Sequence, residues 1–322
     1  MLVGNVGVGK TSLMASMLHQ INAMGLSGYF SPIGDTAQEL TNLRHQMTAC
    51  LEKPGDFNGV QGIQKTDDIF VFEFELSEAS RNPQDKKRFL FPVKIADLPG
   101  SWYSDSKITS DKEKEDIKNM LTDSQVSLIC VDAPSLMEGD DGQFATFNAP
   151  VKISSWYQNN SILHQLKDRG HKVIFIISRC EAYRNKREEM KEKLRNRGAF
   201  KGLISAMLKN EIPVELTYVH TLGGVSFDRF TKNEDGYWTE EFKIDGSYKP
   251  ENCHTPLLRA LQHACNSVLE KLKKRNAKAG VKITNMLGMT QLDNAQEAME
   301  KLCGKLQSDA KENNLQYWEL ES

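Results

Sequence analysis

The stretch that decides the fold lies at the start of the chain, where residues 1–12 read MLVGNVGVGKTS. Residues 4–11 match the pattern G-x-x-x-x-G-K-[ST] at every fixed position. The glycines of this pattern let backbone N–H groups turn inward around an anion, while Lys10 adds a cation and Thr11 a hydroxyl. The pattern therefore predicts a phosphate-binding loop, and the alternative interpretation is a chance glycine-rich turn.

The residues on either side of this loop have the order that a phosphate-binding loop requires. Met1-Leu2-Val3 is a short apolar run, as expected at the end of a strand. Apolar residues after the loop recur at helical spacing as far as Met24, which predicts a helix whose N-terminal dipole favours a bound phosphate. Three residues are few for a first strand, so we expect either a very short strand or missing residues upstream.

Composition limits the classes of partner. The chain has 322 residues, of which 26% are charged, and its formal net charge is −2, so nothing predicts a nucleic-acid partner. No apolar stretch is long enough to span a bilayer, and no secretory signal precedes the loop. The six cysteines are scattered without a C-x-x-C pair, which favours reduced thiols and a cytoplasmic protein.

The remaining periodicity predicts an α/β fold. Strands alternate with helices, which implies a mostly parallel sheet covered on both faces, with one antiparallel strand where residues 69–76 and 89–96 form a hairpin. The turn signal Asn233-Glu234-Asp235-Gly236 predicts a second, inserted β-hairpin at about residues 225–246. We expect one domain over residues 1–275 and a C-terminal helical extension over residues 276–322.

A second candidate segment, Asp97-Leu98-Pro99-Gly100, follows a predicted strand. The carboxyl ends of parallel strands share one edge of a sheet, so this segment is expected beside the phosphate-binding loop. Asp97 can hold Mg²⁺ through water there, and the backbone N–H of Gly100 can reach a γ-phosphate. Asp and Gly are also common in ordinary turns, so the interpretation depends on position.

A third segment, Ser178-Arg179-Cys180-Glu181, resembles the [NT]-K-x-D signature of GTPases with each fixed position conservatively altered. The resemblance implies that the Glu181 carboxylate accepts hydrogen bonds from guanine and that Arg179 lies along the purine face. Thr221 and Leu222 occupy the place of the S-A-x loop, whose backbone touches the guanine oxygen. The alternative is an ordinary strand-to-helix turn.

In order and spacing, these elements resemble the P-loop GTPase class of the TRAFAC branch, and more closely the bacterial double-GTPase-type domains. D-L-P-G at residues 97–100, Val131-Asp132 and Thr255-Pro256-Leu257-Leu258 carry the closer resemblance. It implies a three-layer P-loop NTPase fold, GTP and GDP as ligands, Mg²⁺ as cofactor, and a role in bacterial conflict or defence. The nucleotide contacts that it implies are Asn5, Val6, Gly7, Val8, Gly9, Lys10, Thr11, Ser12, Ser178, Arg179, Glu181, Thr221 and Leu222.

The resemblance also assigns metal and catalytic positions. Metal ligands are expected at Thr11, Thr66 and Asp97, and catalytic groups at Lys10, Thr66 and Gly100. Thr66 is preferred as the switch threonine because it precedes the strand at residue 69; Thr36 is the competitor, but its spacing to Glu39 is typical of a helix cap.

The expected function is a Mg²⁺-dependent GTP-binding and GTP-hydrolysing switch. Ras-like enzymes orient the attacking water with a Gln directly after D-x-x-G, where this chain has the shorter Ser101. We therefore expect slow hydrolysis unless a protein partner, or a second copy across the nucleotide face, completes the site. The alternatives are an ATPase with a degenerate base site and a non-hydrolysing nucleotide-sensing scaffold.

Overall fold

The computed structural model of the chain describes residues 1–24, 30–52, 57–58, 69–77, 89–103, 110–279, 286–312 and 316–320. Its strands are β1 (Leu2–Val3), β2 (Phe30–Pro32), β3 (Phe57–Asn58), β4 (Phe70–Ser77), β5 (Phe89–Asp97), β6 (Val126–Asp132), β7 (Lys172–Ser178), β8 (Val214–Tyr218), β9 (Val225–Lys232), β10 (Trp238–Ile244) and β11 (Tyr317–Leu320). Its helices are α1 (Lys10–Ala23), α2 (Thr36–Leu51), α3 (Asp111–Asp123), α4 (Ala133–Met137), α5 (Asp141–Asn148), α6 (Pro150–Tyr157), α7 (Asn160–Asp168), α8 (Arg187–Asn196), α9 (Gly198–Lys209), α10 (His254–Ala279) and α11 (Met286–Glu312).

The main sheet has eight strands in the order β11-β8-β7-β6-β1-β5-β4-β2. The five strands from β8 to β5 in that order are parallel to one another, which confirms the predicted mostly parallel α/β sheet. The sequence predicted one antiparallel strand, β4, but β11 also pairs antiparallel, with β8. Strand β11 has only four residues, which is too short a pattern to predict a strand from sequence. It forms because these residues pair with β8.

A second, three-stranded sheet contains the predicted inserted hairpin. Strands β9 and β10 pair antiparallel, which confirms the hairpin, and β3 adds to its β10 edge.

Two hydrophobic cores lie on opposite faces of the main sheet. In β7, Ile174 and Ile176 face the core formed with α1, α2, α10 and α11, whereas Val173, Phe175 and Ile177 face the core formed with α3 and α6–α9. All seven residues of β7 are buried, as are those of β6. Strands buried on both faces require helices on both sides, which gives the fold three layers.

Thr36 is not a helix cap, contrary to the sequence-based interpretation. Asp35 occupies the N-cap position of α2 without a side-chain capping bond, and Thr36 is the first residue of the helix. The Thr36 hydroxyl instead accepts a hydrogen bond of 2.9 Å from the backbone N–H of Glu73 in β4. A local spacing rule could not reveal a partner 37 residues away.

Across the described helices, none combines the length and apolar character that a membrane span requires. Cys130, Cys180, Cys253, Cys265 and Cys303 are buried free thiols.

His171 makes the stability of the fold sensitive to acid. Its Nδ1 lies 2.9 Å from the Ser124 carbonyl and must therefore donate, so its Nε2, 3.0 Å from the Ser127 hydroxyl, accepts. Burial lowers the pKa of His171 to about 4, from an ordinary value of 6.5. The unfolded chain therefore binds a proton that the folded chain does not as the pH falls from 6.5 towards 4.

We expect His171 to cost about 3 kcal/mol of the free energy of unfolding across that interval, with no cost above it. The measurement is urea unfolding at a series of pH values for the native chain and for His171→Gln, which cannot titrate. The native chain should lose stability more steeply below pH 6.5, and parallel pH profiles would contradict the assignment.

Candidate phosphate-binding site

The candidate site lies at the edge of the sheet where the parallel strands end. The glycine-rich loop connects β1 to α1, and Asp97, Asp132 and Ser178 are the last residues of β5, β6 and β7. Register explains the proximity of the latter two, because Asp132 pairs directly with Ser178. Binding sites of open α/β sheets occur at this edge, because the connecting loops gather there.

The loop itself has the conformation that its glycines permit. Gly7 has φ 82° and Gly9 has φ 86°, in the left-handed region that other residues rarely adopt. Gly9 is the N-cap of α1 and provides no side-chain cap, so the first N–H groups of the helix are available to an anion.

The Lys10 side chain folds back over this loop. Its buried ammonium donates hydrogen bonds of 2.8 Å to the Gly4 carbonyl and 3.2 Å to the Asn5 carbonyl. A cation held at the N-terminus of a helix is complementary to a phosphate group, because the charge and the helix dipole act in the same direction.

Asp97 and Thr11 form a pair beside Lys10. The Thr11 hydroxyl donates to Asp97 Oδ2 at 3.2 Å, while the fully buried Oδ1 of Asp97 has no hydrogen-bond partner among the described residues. Burial raises the pKa of the Asp97 carboxyl, and the nearby Lys10 and Thr11 oppose this rise. A buried carboxylate oxygen without a partner fits a cation or its bound water.

These ligands alone do not enclose a metal ion. Within the described part of the chain, no group of three or more His, Cys, Asp and Glu side chains could hold one. A Mg²⁺ ion at Thr11 and Asp97 would therefore take most of its ligands from water and phosphate, which is its usual preference.

Gly100 approaches the loop so closely that no side chain fits. A Cβ atom on Gly100 would lie 2.5 Å from the backbone nitrogen of Val6 and 2.6 Å from its Cα. Gly100 also begins a 3₁₀ turn whose Trp102 and Tyr103 are buried, which anchors the segment. The backbone after β5 therefore packs directly on the glycine-rich loop.

The end of β7 contacts the same loop through two side chains. The Ser178 hydroxyl donates to the Val8 carbonyl at 2.7 Å, and the Arg179 guanidinium donates to the Gly7 carbonyl. Arg179 has φ 59°, an uncommon conformation outside glycine.

Glu181 holds the loop that follows β8. Its Oε1 accepts hydrogen bonds of 3.1 Å from the backbone N–H groups of both Leu222 and Gly223. Burial raises the pKa of the Glu181 carboxyl, and these N–H groups oppose the rise. The carbonyl of Thr221 accepts from the Ser16 hydroxyl of α1 at 2.8 Å, so this loop is also bound to the helix that follows the glycine-rich loop.

The structure thus brings the described candidate residues to one edge of the sheet. Asn5 donates through Nδ2 to the Thr146 carbonyl at 2.6 Å, and within the part of the chain that the structure describes its buried Oδ1 has no hydrogen-bond partner. Ser12 lies in the first turn of α1, next to Thr11. Thr66 lies outside the described residues, so its switch role stays a prediction.

Sequence reasoning missed Glu240, a residue of β10 that reaches this edge. Its carboxylate contacts Arg179, which also lies 3.2 Å from Asp132 Oδ1. Burial, and then the Asp132 carboxylate, raise the pKa of Glu240 well above its ordinary range. The available signal was its place two residues before Phe242 in the hairpin, a spacing that puts both on one strand face.

Comparison of the chain with known protein families, with curated proteins and with solved structures found no match in any of the three.

Proposed function

We propose that the protein is a Mg²⁺-dependent GTP-binding and GTP-hydrolysing switch. The observation that carries the proposal is the convergence of separate segments on one loop: the Lys10 ammonium, the Thr11–Asp97 pair, the Gly100 backbone and the Ser178 hydroxyl. These provide a cation, oxygen ligands and a backbone contact around one anion-binding helix N-terminus.

Each group has a defined part in the proposed chemistry. Lys10 offsets negative charge on the β- and γ-phosphates, and Gly100 presents backbone beside the γ-phosphate. Thr11 and Asp97 would hold Mg²⁺, which when bound neutralises phosphate charge. Ser101 is too short to orient water as a Gln does, so the protein alone hydrolyses slowly and a partner or second copy completes the site.

One observation favours the ATPase alternative. Glu181 Oε1 already accepts two backbone hydrogen bonds, and Leu222 already donates its N–H to Glu181. Glu181 and the Leu222 backbone, which the resemblance assigns to guanine recognition, are thus hydrogen-bonded to each other. The preference for GTP over ATP therefore requires a direct test.

Calorimetric titration of GTP and ATP, each with and without Mg²⁺, provides that test. We expect GTP to bind more tightly than ATP and Mg²⁺ to strengthen binding. Glu181→Gln should reduce the preference for GTP roughly tenfold, because a hydrogen bond to a charged group contributes about 1.5–3 kcal/mol.

Glu192→Gln is the matched control, since Glu192 lies exposed on α8. Equal affinity for GTP and ATP, unchanged in Glu181→Gln, would support the ATPase alternative. Nucleotide binding without release of phosphate would support the scaffold alternative, and binding of neither nucleotide would overturn the proposal.

A further inference from the structure

A buried ionic cluster joins the inserted hairpin to the phosphate-binding loop. Glu240 of β10 is 4% exposed, and its Oε2 contacts the Arg179 guanidinium. The same guanidinium lies 3.2 Å from Asp132 Oδ1 and donates to the Gly7 carbonyl. Arg179 therefore links β10, β6 and the loop.

The positions of Asp132, Arg179 and Glu240 in this cluster depend on one another. The side chains of Asp132 and Glu240 share one guanidinium, that of Arg179. Because desolvated charges are stabilised only by close partners, loss of one partner leaves the others poorly compensated. Glu240 and Arg179 therefore depend on each other for their positions.

The conformation of Arg179 indicates that its surroundings impose it. A non-glycine residue at φ 59° carries a cost that persists only where tertiary contacts determine the backbone. Strand β10 supplies two of those contacts, because the Phe242 ring lies 5.1 Å from the guanidinium carbon and Glu240 contacts the guanidinium nitrogen. The hairpin thus holds a residue that touches the phosphate-binding loop.

We propose that Glu240 is a positioning residue through which the inserted hairpin holds Arg179 against Gly7, and so keeps the phosphate-binding loop ready for a nucleoside triphosphate. The identity of the ligand as a nucleoside triphosphate rests on the proposed function, whereas the link from Glu240 through Arg179 to Gly7 does not. The proposal gives the hairpin a part in nucleotide affinity, and a protein bound to the hairpin would change that affinity through Arg179.

Backbone amide exchange of residues 4–9 in the nucleotide-free protein tests the link directly. We expect exchange to be roughly tenfold faster in Glu240→Ala, because the contact that restrains Arg179 is lost. Glu240→Gln keeps an acceptor oxygen at the same place and should restore exchange to near the native rate. The control is Glu241→Ala, since Glu241 is next in β10 but pairs with Arg229 at 2.5 Å.

Affinity for Mg·GTP provides the second measurement. Glu240→Ala and Arg179→Ala should each weaken binding by roughly tenfold, and the double variant should add less than twofold to either, because both remove one linkage. A structural role elsewhere in the hairpin would instead give additive losses. If Glu240→Ala does not fold, amide exchange of residues 4–9 in nucleotide-free Arg179→Ala keeps the test valid, because it does not depend on contacts of Arg179 with the nucleotide.

Loop exchange and affinity at native values in folded Glu240→Ala would overturn the proposal, as would equal changes in Glu241→Ala. If the native protein binds neither GTP nor ATP, the proposed function fails, while the amide-exchange comparison still decides whether Glu240 positions the loop.

Discussion

Lys10→Ala is expected to lose at least about 100-fold in affinity for Mg·GTP, equivalent to about 3 kcal/mol, together with all phosphate release. The buried Lys10 ammonium lies over the loop through hydrogen bonds to the Gly4 and Asn5 carbonyls. Alanine removes the positive charge and leaves those carbonyls facing any bound phosphate, so both attraction and shielding are lost. Calorimetry and a phosphate-release assay measure the two effects.

Lys201→Ala is the matched control, because Lys201 is an exposed lysine on α9. Thermal unfolding of both variants separates loss of binding from loss of fold. Phosphate release that persists in folded Lys10→Ala at the native rate would contradict the assignment and point to a contaminating activity.

Gly100→Ala is expected to lower the free energy of unfolding by about 1–3 kcal/mol and to weaken nucleotide binding more than tenfold. The added Cβ would lie 2.5 Å from the Val6 nitrogen, and backbone rather than a flexible side chain blocks it. Either the loop or the segment after β5 must move, and each movement displaces a group of the site. Urea unfolding and calorimetry test the two parts.

Gly202→Ala provides a control with the opposite sign. Gly202 is exposed within α9, and a Cβ there meets no atom within 4 Å. Alanine should stabilise this helix by about 0.5–1 kcal/mol. Gly100→Ala with native stability and native affinity would show that the close approach to Val6 is not required.

The parts of the fold that were predictable depend on local patterns. Strands β6 and β7 are continuous apolar runs, and β4 alternates between apolar and polar residues. Both patterns are visible within a few consecutive residues of the sequence. The glycine-rich loop at residues 4–11 was predictable because its motif places glycine, lysine and threonine at fixed spacing between a strand and a helix. Helix α1 begins at Lys10, as that spacing predicts.

The features that were predicted wrongly or not at all depend on partners that are distant in the sequence. The Thr36 hydroxyl accepts a hydrogen bond from the backbone N–H of Glu73 in β4, although the spacing of Thr36 to Glu39 is typical of a helix cap. Strand β11 exists because it pairs with β8, on residues far away in the chain. Neither contact leaves a local signal, since hydrogen bonds between distant segments impose no periodicity on the sequence.

The amino-acid sequence by itself determined a strand, a glycine loop and a helix at the start of an α/β chain, because backbone conformation there follows from residue type at short range. Only the tertiary structure decided which side chains meet that loop. Arg179 reaches Gly7, and Glu240 reaches Arg179 from an inserted hairpin, because sheet register and hairpin docking bring together residues 61 positions apart. Because this contact is buried, loss of either partner is costly. The spacing of residues along the chain could not predict that burial.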